Sequence, residues 1–408
     1  MSKKKIIPIG PYHPLQEEPE FFKLIVEGEK VVELEIEIGY NHRGIEKLAE
    51  NKHWDQVTFV VERICGICST SHPFAYVLAV EDLLGMQPPQ RASYIRMIID
   101  ELQRIHSHLL WLGLAGHFIG YNTIWMWAWK AREPILDLFE LISGNRQHYA
   151  MMKIGGVRKD IDPQNYQAIR KTIKELYPTL KMFEKVVKDD PVIMKRTKGV
   201  GVLTKEYAIS FGALGPTARA SGVNIDVRKD DPYALYDKID WSVVVLTDGD
   251  IYAKILLRIL ECLESSSIIL KCLESLDRIP KGEIETEVFD IPAGEGIGRV
   301  EAPRGECFHY VRSDGTNRPV RHKIRAPSFM NVATNLVTVC GYTISDAAIT
   351  LAAVDPCYCC TERGAVFSKS GKKILTGEEL IKLSIEKTEK LKRLYQKQNK
   401  FNFQNKNI

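Results

Sequence analysis

Two cysteine pairs, Cys65-Gly66-Ile67-Cys68 and Cys357-Tyr358-Cys359-Cys360, stand near opposite ends of a 408-residue chain. Each pair puts two thiols within reach of one metal ion. If both pairs serve the same site, the two ends of the chain must meet, and the fold has to be nearly complete before the site closes. Four thiolates suit soft or redox-active metals: zinc, iron, nickel or an iron–sulfur cluster. Gly66 allows a tight backbone turn between the first two sulfurs. Arg63 and His72 flank that pair and are able to lower thiol pKa values or hydrogen-bond sulfur. Alone, the first pair fits a zinc clip or a redox dithiol equally well. Cys359 adds a third thiol to the second pair; the spacing shared with the first pair favours Cys357 over Cys359 as the ligand.

The nine cysteines, with no apolar run after Met1-Ser2-Lys3, point to a reducing cytoplasm and to metal or catalytic use rather than disulfides. Cys262, Cys272, Cys307 and Cys340 stand singly and are expected to be buried structural thiols. The net charge of +4 gathers at Lys3 to Lys5 and in a Lys-rich stretch after Gly371. Such solvated ends give no argument for nucleic acid. Leu109 to Trp129 is long and apolar enough to raise a membrane span. Gly113, Gly116, His117, Gly120, Asn122 and Thr123 interrupt it and favour a buried helix followed by a turn.

The pattern along the chain predicts a mainly α protein with small β-sheets (α+β). Residues 1–50 are expected to hold an antiparallel sheet, with Glu27-Gly28-Glu29 as a hairpin turn and a short helix from Ile45 to Lys52. Residues 51–283 read as a bundle of long helices carrying the first pair. A second small sheet is expected in 284–330, a buried helix and the second pair in 331–363, and a helical tail in 364–408, all in one domain. Gly294-Glu295-Gly296-Ile297-Gly298 superficially suggests a phosphate loop. Without a strand-then-helix context it is expected to be a turn.

The cysteine motifs, from Glu62-Arg63-Ile64-Cys65 to His72 and from Asp355-Pro356-Cys357 to Thr361-Glu362-Arg363, resemble the metal-binding signatures of nickel–iron hydrogenase large subunits. Further segments resemble the energy-converting, membrane-bound branch (group 4) and its relative, the quinone-site (49 kDa) subunit of respiratory complex I. They are Gly10-Pro11-Tyr12-His13-Pro14, Gly39 to Leu48, Gly212 to Gly222, Asp226 with Arg228, Pro232-Tyr233 with Tyr236, and Glu301-Ala302-Pro303-Arg304-Gly305. The resemblance spans about residue 8 to residue 363.

It implies nickel held by Cys65, Cys68, Cys357 and Cys360. Cys68 and Cys360 would also bridge to an iron carrying carbonyl and cyanide ligands. Hydrogen would be split heterolytically, with terminal Cys357 as first base. Arg304 would hold a cation beside the open coordination position, unless it only forms a surface ion pair with Glu301 or Glu306. Glu18, in preference to adjacent Glu17, would relay protons, and Asp346 is a further candidate for that path. His72 would hydrogen-bond a bridging sulfur. Glu46 would ligate magnesium or iron at a secondary site, unless it is a helix-surface carboxylate. Asp355 would form a turn or accept a hydrogen bond near the site.

The resemblance also implies a subunit with no iron–sulfur cluster of its own, passing electrons through a small 4Fe-4S partner subunit, with ferredoxin as the indirect donor. A membrane module pumping ions would complete the complex, placing this chain peripherally on the cytoplasmic face of the membrane. Two other readings compete. One is a metal-free quinone-site subunit of a complex I-like enzyme, a relative that generally lacks these four cysteines. The other is a structural zinc protein, which leaves Arg304 and the Gly-rich motifs without a role. Hydrogenase precursors often carry an extension cut near this second motif; the amphipathic tail, with Ile374, Leu375, Leu380, Ile381, Leu383 and Ile385, is expected to stay.

Overall fold

The computed structural model describes residues 4–14, 16–362 and 377–404. Contacts divide the chain after Glu362. The first unit begins with an antiparallel sheet of strands β1 (Lys5–Ile9), β2 (Phe21–Glu27) and β3 (Lys30–Glu37). Alternating burial along β2 puts Phe22, Leu24 and Val26 on the inner face. Gly28, at φ 66°, closes the hairpin as the sequence suggests; β1 lies outside the strand pattern legible in the sequence.

Helices then dominate: α1 (Ile45–Ala49), α2 (Trp54–Glu62), α3 (Ser71–Leu84), α4 (Gln90–Phe118), α5 (Asn122–Ser143) and α6 (Pro163–Asp189). In α6, Pro163 occupies the first turn and Asp162 accepts from the Gln164 amide, the usual opening of a helix. Tyr166, Ile169, Ile173, Leu176, Leu180 and Phe183 then form one buried stripe at three- and four-residue spacing. By contrast, α4 is buried on nearly all sides. It is the central rod, packed on α5 and on the helix Ile251–Arg278. It stops at Phe118, and Gly120, at φ 82°, makes the turn into α5. Among the described residues no helix is long and apolar enough to cross a membrane.

Strands β4 (Met152–Lys153) and β5 (Gly156–Val157) make a minimal hairpin. A second antiparallel sheet follows: β6 (Ala293–Ala302), β7 (Gly305–Asp314) and β8 (Arg321–Arg325). The glycine run 294–298 is therefore strand, not turn. A Cβ at Gly296 or Gly298 would sit 2.0 Å from the carbonyl oxygen of Ala79 or Ala75 on α3. The glycines let α3 lie directly on the sheet.

The buried helix expected over 331–354 is broken. Short turns cover Pro327–Thr338, and Gly341, at φ 93°, ends them. A new helix, Ile344–Ala352, starts from a capping box of Thr343 and Asp346. Asp346 also pairs with Arg196 at 3.1 Å. These contacts give it a capping role.

The two ends of the chain share a core. Phe22, Leu24 and Val26 pack with Val339, Leu351, Val354 and Tyr358. Backbone pairing ties β3 to the turn before the last core helix, where the Val31 amide donates to the Tyr342 carbonyl at 2.9 Å. This junction brings the second cysteine pair to the first. Beyond it, Gly377–Gln404 forms a separate helix on which Ile381, Leu383 and Ile385 are exposed. Ile374, Leu375 and the Leu380 side chain lie outside the described residues.

A buried charge network braces α4 against its neighbours. Arg219 contacts Glu261 at 2.8 Å and Glu301 at 2.7 Å; Arg228 contacts Glu101 at 2.9 Å and Asp226 at 2.6 Å. Removing one partner leaves the others charged and dry. Arg219→Met is expected to destabilise the full chain by about 3–5 kcal/mol, measured by chemical denaturation. A loss under about 1 kcal/mol would show that water compensates the network.

Candidate metal centre

The first pair occupies the turn between α2 and α3. Ser69 Oγ donates to the Gly66 carbonyl at 2.8 Å, and Gln103 of α4 accepts from the Thr70 amide and donates to Ser71 Oγ at 2.6 Å. The second pair follows Asp355, a non-glycine residue at φ 54°. Ser328 Oγ accepts from the Cys357 amide at 3.0 Å. Arg43 joins the two loops: it donates to the carbonyls of Arg63 at 2.9 Å, Ile64 at 2.7 Å and Cys359 at 3.3 Å. Its segment was noted in the sequence, but a clamp made wholly to backbone oxygens leaves no side-chain signature there.

The sulfurs of Cys65, Cys357 and Cys360 all lie within 4.8 Å of one another. Cys357 Sγ is 3.2 Å from Cys65 Sγ and 2.8 Å from Cys360 Sγ. Cys359 is not among them. It is only half-buried, and its amide donates to Glu18 Oε2 at 2.7 Å. The thiol of Cys65 is pushed well below the usual range, first by hydrogen bonding from Cys357, then from Cys360 and Cys68. Cys360 is pushed well up, first by burial, then because it gives its proton to neighbouring sulfurs. Such a cluster shares protons among closely spaced buried sulfurs. A divalent soft metal would release the remaining protons, so the donor set fits a thiolate-bound nickel.

Arg304 sits in the turn joining β6 and β7. Asn331 Nδ2 donates to its carbonyl at 3.0 Å, and Gly305 packs backbone-to-backbone on Gly215, where any Cβ would clash. Its guanidinium is buried. Nη1 lies 3.5 Å from Cys68 Sγ and 3.2 Å from Ser107 Oγ, Nε donates to the Asp355 carbonyl at 2.7 Å, and Nη2 is 2.6 Å from Asp355 Oδ1. Glu301 and Glu306 are taken by Arg219 and Arg325 instead. Asp355 also faces Arg258 at 3.9 Å, so two cations flank one carboxylate.

Glu18 is held beside the second pair by the Cys359 amide, and burial raises its pKa most, followed by the Cys65 charge. Adjacent Glu17 keeps exposed surface, but burial, followed by the charge of Asp355, pushes its carboxyl up to about 8, so it stands beside the same site. His72 Nε2 is 3.4 Å from Cys360 Sγ. Glu46 faces elsewhere: Lys323 Nζ lies 2.7 Å from one oxygen and the Ile324 amide donates to the other at 3.1 Å. Of the single cysteines, Cys262, Cys272 and Cys307 are buried, but Cys340 is only half-buried. Arg363 lies outside the described residues.

Fold and site together define a large α+β subunit whose two ends enclose a metal-capable thiol cluster. Residues 43–114 match the family described as nickel-dependent hydrogenase, and residues 119–288 and 283–363 match the 49 kDa subunit of respiratory-chain NADH dehydrogenase. The chain is 42% identical over 402 residues to the membrane-bound hydrogenase subunit alpha of Pyrococcus furiosus, covering 94% of this chain and 93% of that one. It is 40% identical to the carbon monoxide-induced hydrogenase of Rhodospirillum rubrum, covering 88% and 99%. A solved structure of the archaeal membrane-bound sulfane sulfur reductase complex contains a similar chain: TM-score 0.84, 32% identity, covering 88% of this chain and 98% of that one. The chain belongs to the family that joins the large subunits of nickel-dependent hydrogenases to the 49 kDa subunit of complex I, and it is an oxidoreductase of the hydrogenase type.

Proposed function

We propose that this chain is the catalytic subunit of an energy-converting nickel–iron hydrogenase, interconverting hydrogen with protons and electrons. The observation that carries the reading is the buried sulfur cluster built from both ends, with Arg304 against Cys68. Cys65, Cys68, Cys357 and Cys360 would hold a nickel–iron pair with carbonyl and cyanide on the iron. When bound, that pair supplies the redox chemistry and polarises the hydrogen molecule. Arg304 fixes a cation beside Cys68 that no pH near neutrality removes. Cys357, buried and in contact with both Cys65 and Cys360, would serve as the base from the second pair. Glu18 takes the proton outward.

Electrons would pass to an iron–sulfur partner subunit, with ferredoxin as indirect donor. A membrane module would couple the reaction to ion translocation, with this subunit on its cytoplasmic face. Relatives named as parts of membrane-bound enzymes support such a setting. The competing metal-free quinone-site reading predicts no stoichiometric metal, and the zinc reading predicts zinc alone. Metal analysis of the purified complex separates all three: nickel and iron near one per chain are expected.

The proton path gives a further expected result. Glu18→Gln keeps the amide contact with Cys359 but carries no proton. Hydrogen evolution is expected to fall about a hundredfold or more while nickel content stays unchanged. Full activity in that variant would remove Glu18 from the path.

A further inference from the structure

We propose that Cys307, His309 and His322 lock His72 in the tautomer that donates from Nε2 to Cys360, making the second sheet a positioning device for the sulfur cluster. The proposal deepens the hydrogenase reading, because Cys360 is one of the sulfurs that would hold the metals there. It is tested on the metal-free chain, so the two stand or fall separately.

The geometry is a single file of buried rings. His72 Nε2 is 3.4 Å from Cys360 Sγ. On its other side, Nδ1 meets two groups at once: His309 Nε2 at 3.1 Å and Cys307 Sγ at 3.4 Å. His309 Nδ1 is 3.0 Å from His322 Nε2, and His322 Nδ1 has no hydrogen-bond partner among the described residues. The fold builds this file by simple periodicities. Cys307 and His309 alternate onto the inner face of β7, and His322 of β8 pairs with Val311 two residues further along. On α3, His72 and Tyr76 lie one turn apart. Tyr76 packs its ring on His322 at 5.4 Å between centroids, while its hydroxyl is anchored on the Trp54 carbonyl at 2.8 Å. Gly296 and Gly298 bring α3 close enough for the rings to meet.

Counting protons decides the direction. Among the described residues the three buried rings bond only to one another and to cysteine sulfurs, with no carboxylate to pair an imidazolium, so each ring is neutral and carries one N–H. Burial likewise keeps Cys307 a thiol, with one S–H to place. If His72 carries its proton on Nε2, Nδ1 accepts from both His309 and Cys307, His309 Nδ1 accepts from His322, and every buried N–H is used. The chain then ends on a bare acceptor at His322 Nδ1. The reverse arrangement turns a lone pair of His72 toward the sulfur and deprives the Cys307 S–H of its acceptor. It also strands a buried N–H on His322, and orphaned buried N–H groups are rare and costly. The same three donors, His72, Cys307 and His309, lie close enough to hold a metal ion of their own. A metal ion held there instead of a hydrogen-bonded file is an outcome that the test below distinguishes.

In the hydrogenase reading, a fixed N–H on Cys360 draws charge from that sulfur. The lock therefore tunes the centre through His72, and His309 is a positioning residue that never touches the metals.

The test uses full-length chain labelled with 15N-histidine, metal-free, with ring signals assigned through His72→Gln, His309→Gln and His322→Gln variants. The nitrogen shifts of the unsubstituted chain are expected to report Nε2–H for His72, His309 and His322. In His309→Leu plus Cys307→Ala, His72 is expected to lose its fixed tautomer; in His309→Gln, whose amide keeps a donor, it is expected to be retained. In the loaded complex, His309→Leu is expected to weaken nickel retention about tenfold, with His309→Gln restoring it. An Nδ1–H proton on His72 in the unsubstituted chain would overturn the proposal. So would one metal ion per chain persisting in Cys357→Ser protein and lost on Cys307→Ala.

Discussion

Cys357→Ser is expected to abolish nickel retention and hydrogen turnover together while the chain stays folded. Its sulfur is the hub of the cluster, 3.2 Å from Cys65 and 2.8 Å from Cys360. A serine hydroxyl does not ionise in this buried setting and offers nickel a hard oxygen in place of a soft thiolate. The hydrogen bond from Cys357 is also the largest influence lowering Cys65, so a second ligand is impaired by the same change. Far-ultraviolet circular dichroism and metal quantification on the same sample check the result. Cys340→Ser, at a half-buried thiol that donates to the Leu336 carbonyl away from the sulfur cluster, serves as the control and is expected to keep full metal. Nickel retained in Cys357→Ser would mean that the second pair is not its anchor.

Arg304→Lys should separate binding from catalysis. The guanidinium makes a planar set of contacts to the Asp355 carbonyl, the Asp355 carboxylate, Ser107 and Cys68. Lysine preserves the charge but not the fork. With Arg258 on its far side, Asp355 keeps a counterion, so the protein is expected to fold and hold its metals. What it loses is a positioned cation beside Cys68. Removing one preorganised donor from an active site typically costs about 10²–10³ in rate, and a fall of that order is expected in hydrogen–deuterium exchange and in hydrogen evolution alike. Activity unchanged by Arg304→Lys would reduce this residue to a structural counterion for Asp355.

The chemistry of this chain was more legible in its sequence than its packing. The cysteine pairs raised the meeting of the two ends as a condition and the family resemblance implied it, and the structure joins them through a core shared by β2 and the last core helix. The alternation in β2 and β3, and the periodic stripe of α6, were readable because one face of each element is buried. The second sheet was harder. Its glycines at 296 and 298 serve contact with α3 rather than a turn, and a missing side chain leaves no pattern to read. The segment 331–354 looked continuous because Val332, Val339 and Ile349 are apolar throughout. Its breaks come from Gly341 and from the capping box at Thr343, a local signal that the apolar run masked. Arg43 and the His72–His309–His322 file escaped notice for a related reason. Both depend on which strands and loops become neighbours, and strand register is a tertiary property. The contacts of Glu46 with Lys323 and the Ile324 amide were likewise not legible, because they depend on where β8 comes to lie.

Infrared spectroscopy of the purified, active complex is the most direct measurement of the central claim. Bands from carbonyl and cyanide bound to iron are expected, present in proportion to nickel and absent from Cys357→Ser. Active, metal-loaded complex without those bands would contradict the assignment of a nickel–iron centre to Cys65, Cys68, Cys357 and Cys360.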